Sequence, residues 1–206
     1  MSNYSYTRKW FHRRNRRTFE QFILPEWAGK KIVYLELGVF EGQSMVWMME
    51  NVLTHPEAKA VGVDPWLMTR KLDGSVMEDV LRRAAENLSE WLYPLDSTTD
   101  NWKLRLIRGN SAEVLRKMLT DKGGFAGIGK RSVDLCMVDG NHNALAVLDD
   151  LQLVYKLVKP GGWILMDDVE NDHKKKDHVK DGLATFLKER PIKMLWKHRY
   201  MECYER

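Results

Sequence analysis

Cysteine is scarce in this sequence, with two among 206 residues. Cys136 lies in a stretch that reads as a core strand, and Cys203 lies near the C-terminus. This spacing matches neither a metal-binding motif nor a disulfide framework. It argues against a disulfide-stabilised secreted domain, and a reducing, cytoplasmic setting is the expectation.

Long apolar runs are also missing. No stretch approaches the ~20 apolar residues that a transmembrane helix needs, and the N-terminal stretch MSNYSYTRKWFHRRNRR lacks the apolar core of a signal peptide. We therefore expect no membrane partner. The net charge of +4 and the pI near 9.0 are mild, so they permit an anionic partner without requiring one. A chain of this length suits one globular domain.

Two nucleotide-binding motifs are absent. The dinucleotide fingerprint G-x-G-x-x-G does not occur. Residues 124–130 (GFAGIGK) nearly match a phosphate-binding P-loop, but Arg131 stands where Ser or Thr should bind Mg²⁺. The segment also precedes a predicted strand instead of following one. We therefore predict a flexible connection there.

The most informative stretch is residues 31–44, KIVYLELGVFEGQS. The apolar run IVYL predicts a buried strand, and the breaker-free run after Ser44 predicts a helix. Glu36, Gly38 and Gly42 stand between them. A strand, a glycine turn and a helix start form the arrangement by which α/β folds bind nucleotide-like cofactors, because glycine allows close backbone approach. The carboxylate at the strand end favours a cationic or amine-bearing ligand over a pyrophosphate.

A second strand is predicted at residues 60–64 (AVGVD), and it ends in Asp64. A carboxylate at this strand end is placed to accept hydrogen bonds from ribose hydroxyls. The alternative is a turn or helix-capping aspartate. Trp66 follows shortly after, where it would either stack on an adenine or fill the edge of the core.

A third strand, residues 103–107, leads through Asn110 and Ser111 into a predicted helix at residues 112–119. Ser111 is a candidate N-cap for that helix. Further elements are expected as helices at 76–92 and 145–158, a charged loop at 170–181 leading into a helix that ends near Leu187, and a terminal hairpin of 192–197 with 200–205.

Acidic residues end two further predicted strands. Asp139 follows the strand at 133–138, and Asp167 and Asp168 follow the strand at 163–166. The carboxyl ends of parallel strands meet at one edge of a sheet, so these side chains should converge. Three carboxylates form an oxygen-only site that suits Mg²⁺, Mn²⁺ or Ca²⁺. The alternative is capping and solvent exposure beyond each strand.

Residues 8–17 (RKWFHRRNRR) carry six basic side chains. One interpretation is a basic arm for nucleic acid or an anionic substrate. We prefer an amphipathic N-terminal helix that packs on the domain through four aromatic residues, with Pro25 and Gly29 ending it. The four are Trp10, Phe11, Phe19 and Phe22.

The order of these motifs over about residues 31–169 resembles the class I S-adenosylmethionine (SAM)-dependent methyltransferases. It is most similar to the small metal-dependent O-methyltransferases, which include the catechol and caffeoyl-CoA enzymes and the sugar O-methyltransferases of macrolide and aminocoumarin pathways. The resemblance implies a single-domain α/β fold: a doubly wound, Rossmann-like sheet of seven strands with the last strand antiparallel. Residues 1–30 would form a basic helical cap, and residues 31–206 the methyltransferase domain.

The resemblance also implies a role for each candidate residue. Glu36, Gly38, Gly42 and Ser44 would hold the methionine part of SAM, Asp64 the ribose, and Trp66, Asn110, Ser111 and Asp139 would complete the cofactor site. Asp139, Asp167 and Asp168 would bind the metal. His142 stands where catechol-type enzymes carry a lysine base, three positions after the first metal aspartate, and is the candidate general base; helix entry is its alternative role.

The first hypothesis is therefore a SAM-dependent O-methyltransferase, assisted by Mg²⁺ and acting on neighbouring oxygens of a small molecule or sugar. A metal-independent methyltransferase acting on nucleic acid or protein is the alternative, although no N-P-P-Y motif or cysteine pair for base methylation is present. A third hypothesis is a binding module that has lost catalysis. Acceptor specificity is expected in residues 1–30, 67–75, 93–101 and 169–178, and a homodimer is a further hypothesis.

Overall fold

The computed structural model describes residues 4–67, 74–93, 102–121, 124–170 and 178–206, without the side chains of residues 74–78. Seven strands form one sheet in the order β3-β2-β1-β4-β5-β7-β6. Strands β1 to β5 are parallel, and β7 runs antiparallel to both β5 and β6. The strands are β1 Val33–Leu37, β2 Lys59–Asp64, β3 Leu104–Arg108, β4 Val133–Val138, β5 Val158–Met166, β6 Lys193–His198 and β7 Met201–Glu205. The predicted fold class is confirmed.

Side chains along β1 alternate between two apolar cores, one on each face of the sheet. Leu35 and Leu37 pack in one core, together with residues of α6 (Ser111–Thr120), α7 (Ala144–Leu157) and α8 (Val179–Glu189). Tyr34 packs in the other, with residues of α4 (Gln43–Asn51), α5 (Gly74–Asn87) and the N-terminal segment. Burial on both faces explains why the central strands read as continuous apolar runs. None of the helices in the described parts of the chain is long and apolar enough to cross a membrane.

The N-terminal segment contains α1 (Trp10–Arg14), α2 (Arg16–Thr18), a π-helical turn (Phe19–Ile23) and α3 (Leu24–Trp27). Phe11 and Phe19 are buried against Trp47, with Phe19 edge-on to that ring at 5.5 Å. Full burial of one such phenylalanine contributes about 1.5–3 kcal/mol, so the segment is firmly packed. Phe22 stacks on Trp196 at 4.6 Å.

Two expectations for this segment were wrong. Trp10 is half-exposed. Among the described aromatic pairs, its ring contacts only that of Phe40, with the ring centroids 4.9 Å apart. Pro25 lies inside α3, directly after the π-helical turn, and helical backbone continues on both sides of it. Gly29, with φ of 70°, follows the end of the helix as expected.

Three other elements differ from the sequence-based expectation. Strand β5 begins at Val158, ahead of the strand expected at 163–166. It includes residues 159–162 (KPGG), where Gly161 has φ of 79° and the register against β4 shifts. Residues 124–130 form a packed turn instead of a flexible connection: Phe125 bridges Ile128, which is fully buried. The helix predicted at 76–92 ends at Asn87. The terminal hairpin is confirmed, and the predicted charged loop lies mostly outside the described residues.

Candidate functional site

A cavity of about 1070 Å³ opens at the carboxyl ends of the central parallel strands. It brings together most of the residues proposed from the sequence, including Gly38, Ser44, Asp64, Trp66, Asn110, Ser111, Asp139, His142, Asp167 and Asp168. The N-terminal segment adds Trp10, Phe11, Arg14 and Asn15 to the wall. Glu36 and Gly42 are not among its described lining residues. The expected loops 67–75, 93–101 and 169–178 lie largely outside the described residues.

Glu36 is fully buried beneath the cavity floor. The Ser44 hydroxyl donates a hydrogen bond to Oε1, and the Tyr34 hydroxyl donates one to Oε2 at 2.8 Å. Burial raises the pKa of Glu36 to about 7, although both hydrogen bonds lower it. Ser44 lines the cavity and hydrogen-bonds this carboxylate, whereas Glu36 is not among the described lining residues.

The backbone conformation and the close neighbours of residues 38 and 42 explain why both positions are glycine. Gly38 has φ of 90°, and a Cβ added to it would lie 2.0 Å from the backbone oxygen of Asp139. Glycine is therefore required for the ends of β1 and β4 to come together. Gly42 has φ of 83° and is the N-cap of α4, and an added Cβ would lie 2.9 Å from Leu88.

Asp64, at the end of β2, hydrogen-bonds residues that follow β1 and β2. Its Oδ2 accepts the Phe40 amide at 2.9 Å, and its Oδ1 accepts the Trp66 amide at 2.6 Å. The Trp66 indole N–H donates to the Phe40 carbonyl at 2.9 Å, and the ring is buried in the cavity wall. Phe40 and Trp66 both have positive φ, at 51° and 44°, so this edge of the cavity holds a strained backbone.

The start of α6 differs from the expectation. Asn110 is the N-cap, since its side chain accepts the Glu113 amide at 3.3 Å, and Ser111 is the first helical residue. The Ser111 hydroxyl instead hydrogen-bonds Asp150 of α7, a cavity residue that the sequence did not single out. Burial raises the pKa of Asp150 to about 6. Its sequence signal was an acidic residue on a helix that is apolar at most positions.

The acidic rim contains Asp139, Asp167 and Asp168, as predicted, and His142 joins it. Single ligand atoms of Asp139, His142 and Asp168 all lie within 4.8 Å of one another. His142 Nε2 is 3.5 Å from Asp168 Oδ2. Burial, then the neighbouring Asp167 and Asp168 charges, raise the pKa of Asp139 well above its usual range. Two carboxylates and an imidazole are a donor set that suits a divalent cation, so the residues fit this group.

Asp167 faces different partners. Its Oδ1 accepts the backbone N–H of Asp168 at 2.8 Å, and its Oδ2 accepts the side-chain amide of Asn15. The pKa of Asp167 is raised to about 6, mainly by burial and then by the Asp168 charge. Asp168 has φ of 55°, and the hydrogen bond to its N–H helps to hold that conformation.

The N-terminal segment contributes two site residues that the sequence analysis missed. Buried Asn15 reaches Asp167, and Arg14 Nη1 lies 3.5 Å from Asp168 Oδ1. These contacts join residues more than 150 positions apart in the chain. The basic and aromatic composition of residues 8–17 indicated packing or an anionic partner, and nothing in it pointed to the acidic rim.

Residues 35–169 match the sequence profile of a family described as "Methyltransferase domain". The uncharacterized protein R132 of Acanthamoeba polyphaga mimivirus is 25% identical over 142 residues, which are 68% of this chain and 52% of R132. The chain thus spans about half the length of this curated relative.

Two solved structures share the architecture. TomG, an O-methyltransferase from Streptomyces achromogenes involved in tomaymycin synthesis and solved with SAM, has a TM-score of 0.58 and 15% identity over 92% of this chain and 78% of its own. CalS11, a TDP-rhamnose 3′-O-methyltransferase of calicheamicin biosynthesis, has a TM-score of 0.54 and 14% identity over 84% of this chain and 72% of its own. At such identities these two establish the fold, and the profile match across most of the chain establishes the family. This chain has the seven-stranded fold of these structures and belongs to the methyltransferase domain family.

Proposed function

We propose that this methyltransferase transfers the methyl group of SAM to a hydroxyl of a small molecule or sugar, assisted by a divalent cation. The observation that carries this proposal is the cluster of Asp139, His142 and Asp168, whose ligand atoms lie within 4.8 Å beside the cavity. A divalent cation held by such donors would activate a hydroxyl for methyl transfer. The activities of TomG and CalS11, an O-methyltransferase and a sugar O-methyltransferase, support the same acceptor classes.

The cofactor would lie along the strand ends. The turn from Gly38 to Ser44 would hold the methionine part, with the ammonium group near Ser44 and the carboxylate of Glu36 beneath it. Asp64 already accepts backbone hydrogen bonds from Val39, Phe40 and Trp66, and a remaining lone pair of its carboxylate would accept a ribose hydroxyl. Asn110 and Ser111 would border the adenine.

The chemistry requires that an acceptor oxygen bond to the methyl carbon as the carbon–sulfur bond breaks, and that the hydroxyl lose its proton. A bound divalent cation would lower the pKa of that hydroxyl and align it with the methyl group. With the cation held by the aspartates, His142 would be the described rim residue that could hold the released proton. Trp10 and Phe11 close the cavity on one side and would help to exclude water.

Nucleic acid is the alternative acceptor, because the N-terminal segment that lines the cavity with Arg14 and Asn15 also carries five exposed basic residues: Arg8, Lys9, Arg13, Arg16 and Arg17. Binding through these residues would weaken steeply with salt. The small-molecule proposal predicts no salt-sensitive binding of RNA or DNA and full dependence of activity on a divalent cation.

The test is calorimetric titration of the full chain with S-adenosylhomocysteine, in Mg²⁺ or Mn²⁺ and in EDTA. We expect micromolar binding of the cofactor product, and a separate metal heat that disappears in the variant Asp139→Ala/Asp168→Ala. Asp64→Ala should weaken S-adenosylhomocysteine about tenfold or more while leaving the metal heat intact. Cofactor binding without any metal heat would contradict metal assistance and make the exposed basic residues the next target.

A further inference from the structure

Asp150 of α7 is a buried acid in the cavity wall. It is 2% exposed and lines the cavity together with Ser111, the first residue of α6. The Ser111 hydroxyl donates a hydrogen bond to its carboxylate, and Oδ1 of Asp150 has no hydrogen-bond partner among the described residues. A buried carboxylate oxygen without a partner is costly, so packing alone does not account for an acid at this position.

Several other polar side chains at this end of the cavity already have partners or face solvent. Asn110 accepts the backbone N–H of Glu113 as the N-cap of α6, and Arg116 forms an ion pair with Asp149 at 2.6 Å. The side chain of Glu113 is exposed. Ser111 is partly exposed and lines the cavity, so its hydroxyl is placed to offer a hydrogen bond to a ligand there.

The direction of the hydrogen bond between Ser111 and Asp150 decides what the hydroxyl can offer. Burial raises the pKa of Asp150 to about 6, so at about pH 7.5 the group is largely ionised and can only accept hydrogen bonds. A serine hydroxyl has one proton, and once it is donated to Asp150 the oxygen presents only lone pairs to the cavity. Ser44 shows the same arrangement, since its hydroxyl donates to the buried Glu36.

We propose that Asp150 is a positioning residue that holds the Ser111 hydroxyl as a hydrogen-bond acceptor, so that this end of the cavity selects a purine with a 6-amino group over one with a 6-oxo group. The inference rests on the proposed function, which puts the adenine of SAM beside Ser111. The 6-amino group of adenine donates hydrogen bonds, which the hydroxyl can accept. The 6-oxo oxygen of hypoxanthine would face the same lone pairs and find no donor.

Two ligands test this inference by calorimetric titration of the full chain at about pH 7.5: S-adenosylhomocysteine and its 6-oxo analogue, S-inosylhomocysteine. We expect the wild type to prefer the adenosyl ligand about thirtyfold or more. Asp150→Asn should reduce this ratio to less than about threefold, because an amide can donate to the Ser111 oxygen and release the hydroxyl proton for the 6-oxo group. A purely structural role of Asp150 would lower both affinities together and leave their ratio unchanged.

Asp149→Asn is the matched control, because it removes the neighbouring acid, which is paired with Arg116, and should keep the wild-type ratio. Should Asp150→Asn fail to fold, the smaller variant Asp150→Ser is expected to lose the ratio in the same way, since a hydroxyl also donates and accepts.

A wild-type ratio below about threefold would overturn the inference. An unchanged ratio in the Asp150 variants would also overturn it, and loss of the ratio in Glu113→Gln would then identify the exposed acid as the selecting group. Failure of the wild type to bind either ligand would contradict the proposed function itself, and this inference with it.

Discussion

Glu36 is a buried acid whose ionisation should control cofactor binding. Its pKa is raised to about 7 by burial, and its ionised form orients the Ser44 hydroxyl, whose lone pairs can then accept from a cationic ligand group. A bound ammonium group favours the ionised form. We therefore expect the affinity for S-adenosylhomocysteine to rise between about pH 5.5 and 7, by up to about tenfold per pH unit.

The variant Glu36→Gln carries no titrating carboxyl and should lose most of this pH dependence. Glu20→Gln, which removes an exposed acid paired with Arg16, is the matched control and should keep the wild-type slope. Calorimetry in buffers of equal ionic strength measures both. A slope in Glu36→Gln equal to that of the wild type would assign the effect to another carboxyl of the rim.

The junction of β1 and β4 places the glycine turn at residues 38–42 beside Asp139 of the acidic rim. Gly38→Ala would place a methyl group 2.0 Å from the Asp139 carbonyl oxygen, in a backbone conformation that alanine avoids. We expect a loss of about 2–4 kcal/mol in the free energy of unfolding, together with loss of S-adenosylhomocysteine binding.

Gly129→Ala is the control for this change, because an added Cβ there meets no atom within 4 Å. Thermal melting and calorimetry of both variants give the comparison. Equal stability of the two variants would show that the strand ends separate easily, and that Gly38 is needed only for the ligand.

The N-terminal segment brings a positive charge to the rim. Arg14 lies 3.5 Å from Asp168 with its side chain 41% exposed, so it can move away, but it competes with a cation for the same carboxylate. Arg14→Gln should therefore tighten Mn²⁺ binding about two- to fivefold, the scale of a partly exposed ion pair. Arg13→Gln removes an exposed charge of the same helix and should have little effect. Equal Mn²⁺ affinity in the two variants would exclude competition by Arg14.

Strands β2, β4 and β5 were predictable because each contains a largely buried apolar run that ends at an aspartate. Asp64, Asp139 and Asp167 could be placed on one edge because parallel strands share a direction. The N-cap at Asn110 was misassigned to Ser111, since both residue types cap helices and the sequence does not show which one hydrogen-bonds Asp150. The contact of Asn15 with Asp167 depends on how the N-terminal segment crosses the sheet, which no local pattern encodes.

Across the whole molecule, several acids are buried with raised pKa values. Those of Glu36, Asp150 and Asp167 lie at about 7, 6 and 6, against about 4.5 for a free Glu and 3.8 for a free Asp. Between about pH 4.5 and 7 the folded chain therefore holds protons that the unfolded chain has lost, and stability falls as pH rises. The exposed acids with lowered pKa values, such as Glu57 beside Lys31, act only below this window.

We expect the melting temperature of the ligand-free protein to fall by about 4 °C or more between about pH 5 and 7.5. A pKa difference of one unit between the folded and the unfolded chain changes the free energy of unfolding by about 1.4 kcal/mol. His12 opposes the trend, since burial lowers its pKa, but its effect is largely complete by about pH 7. The double variant Glu36→Gln/Asp150→Asn removes two of the titrating acids and should flatten the profile. A wild-type melting temperature that is constant or rises over this range would mean that these acids are ionised in the folded chain. Asp167 of the rim would then already carry its negative charge before any cation binds.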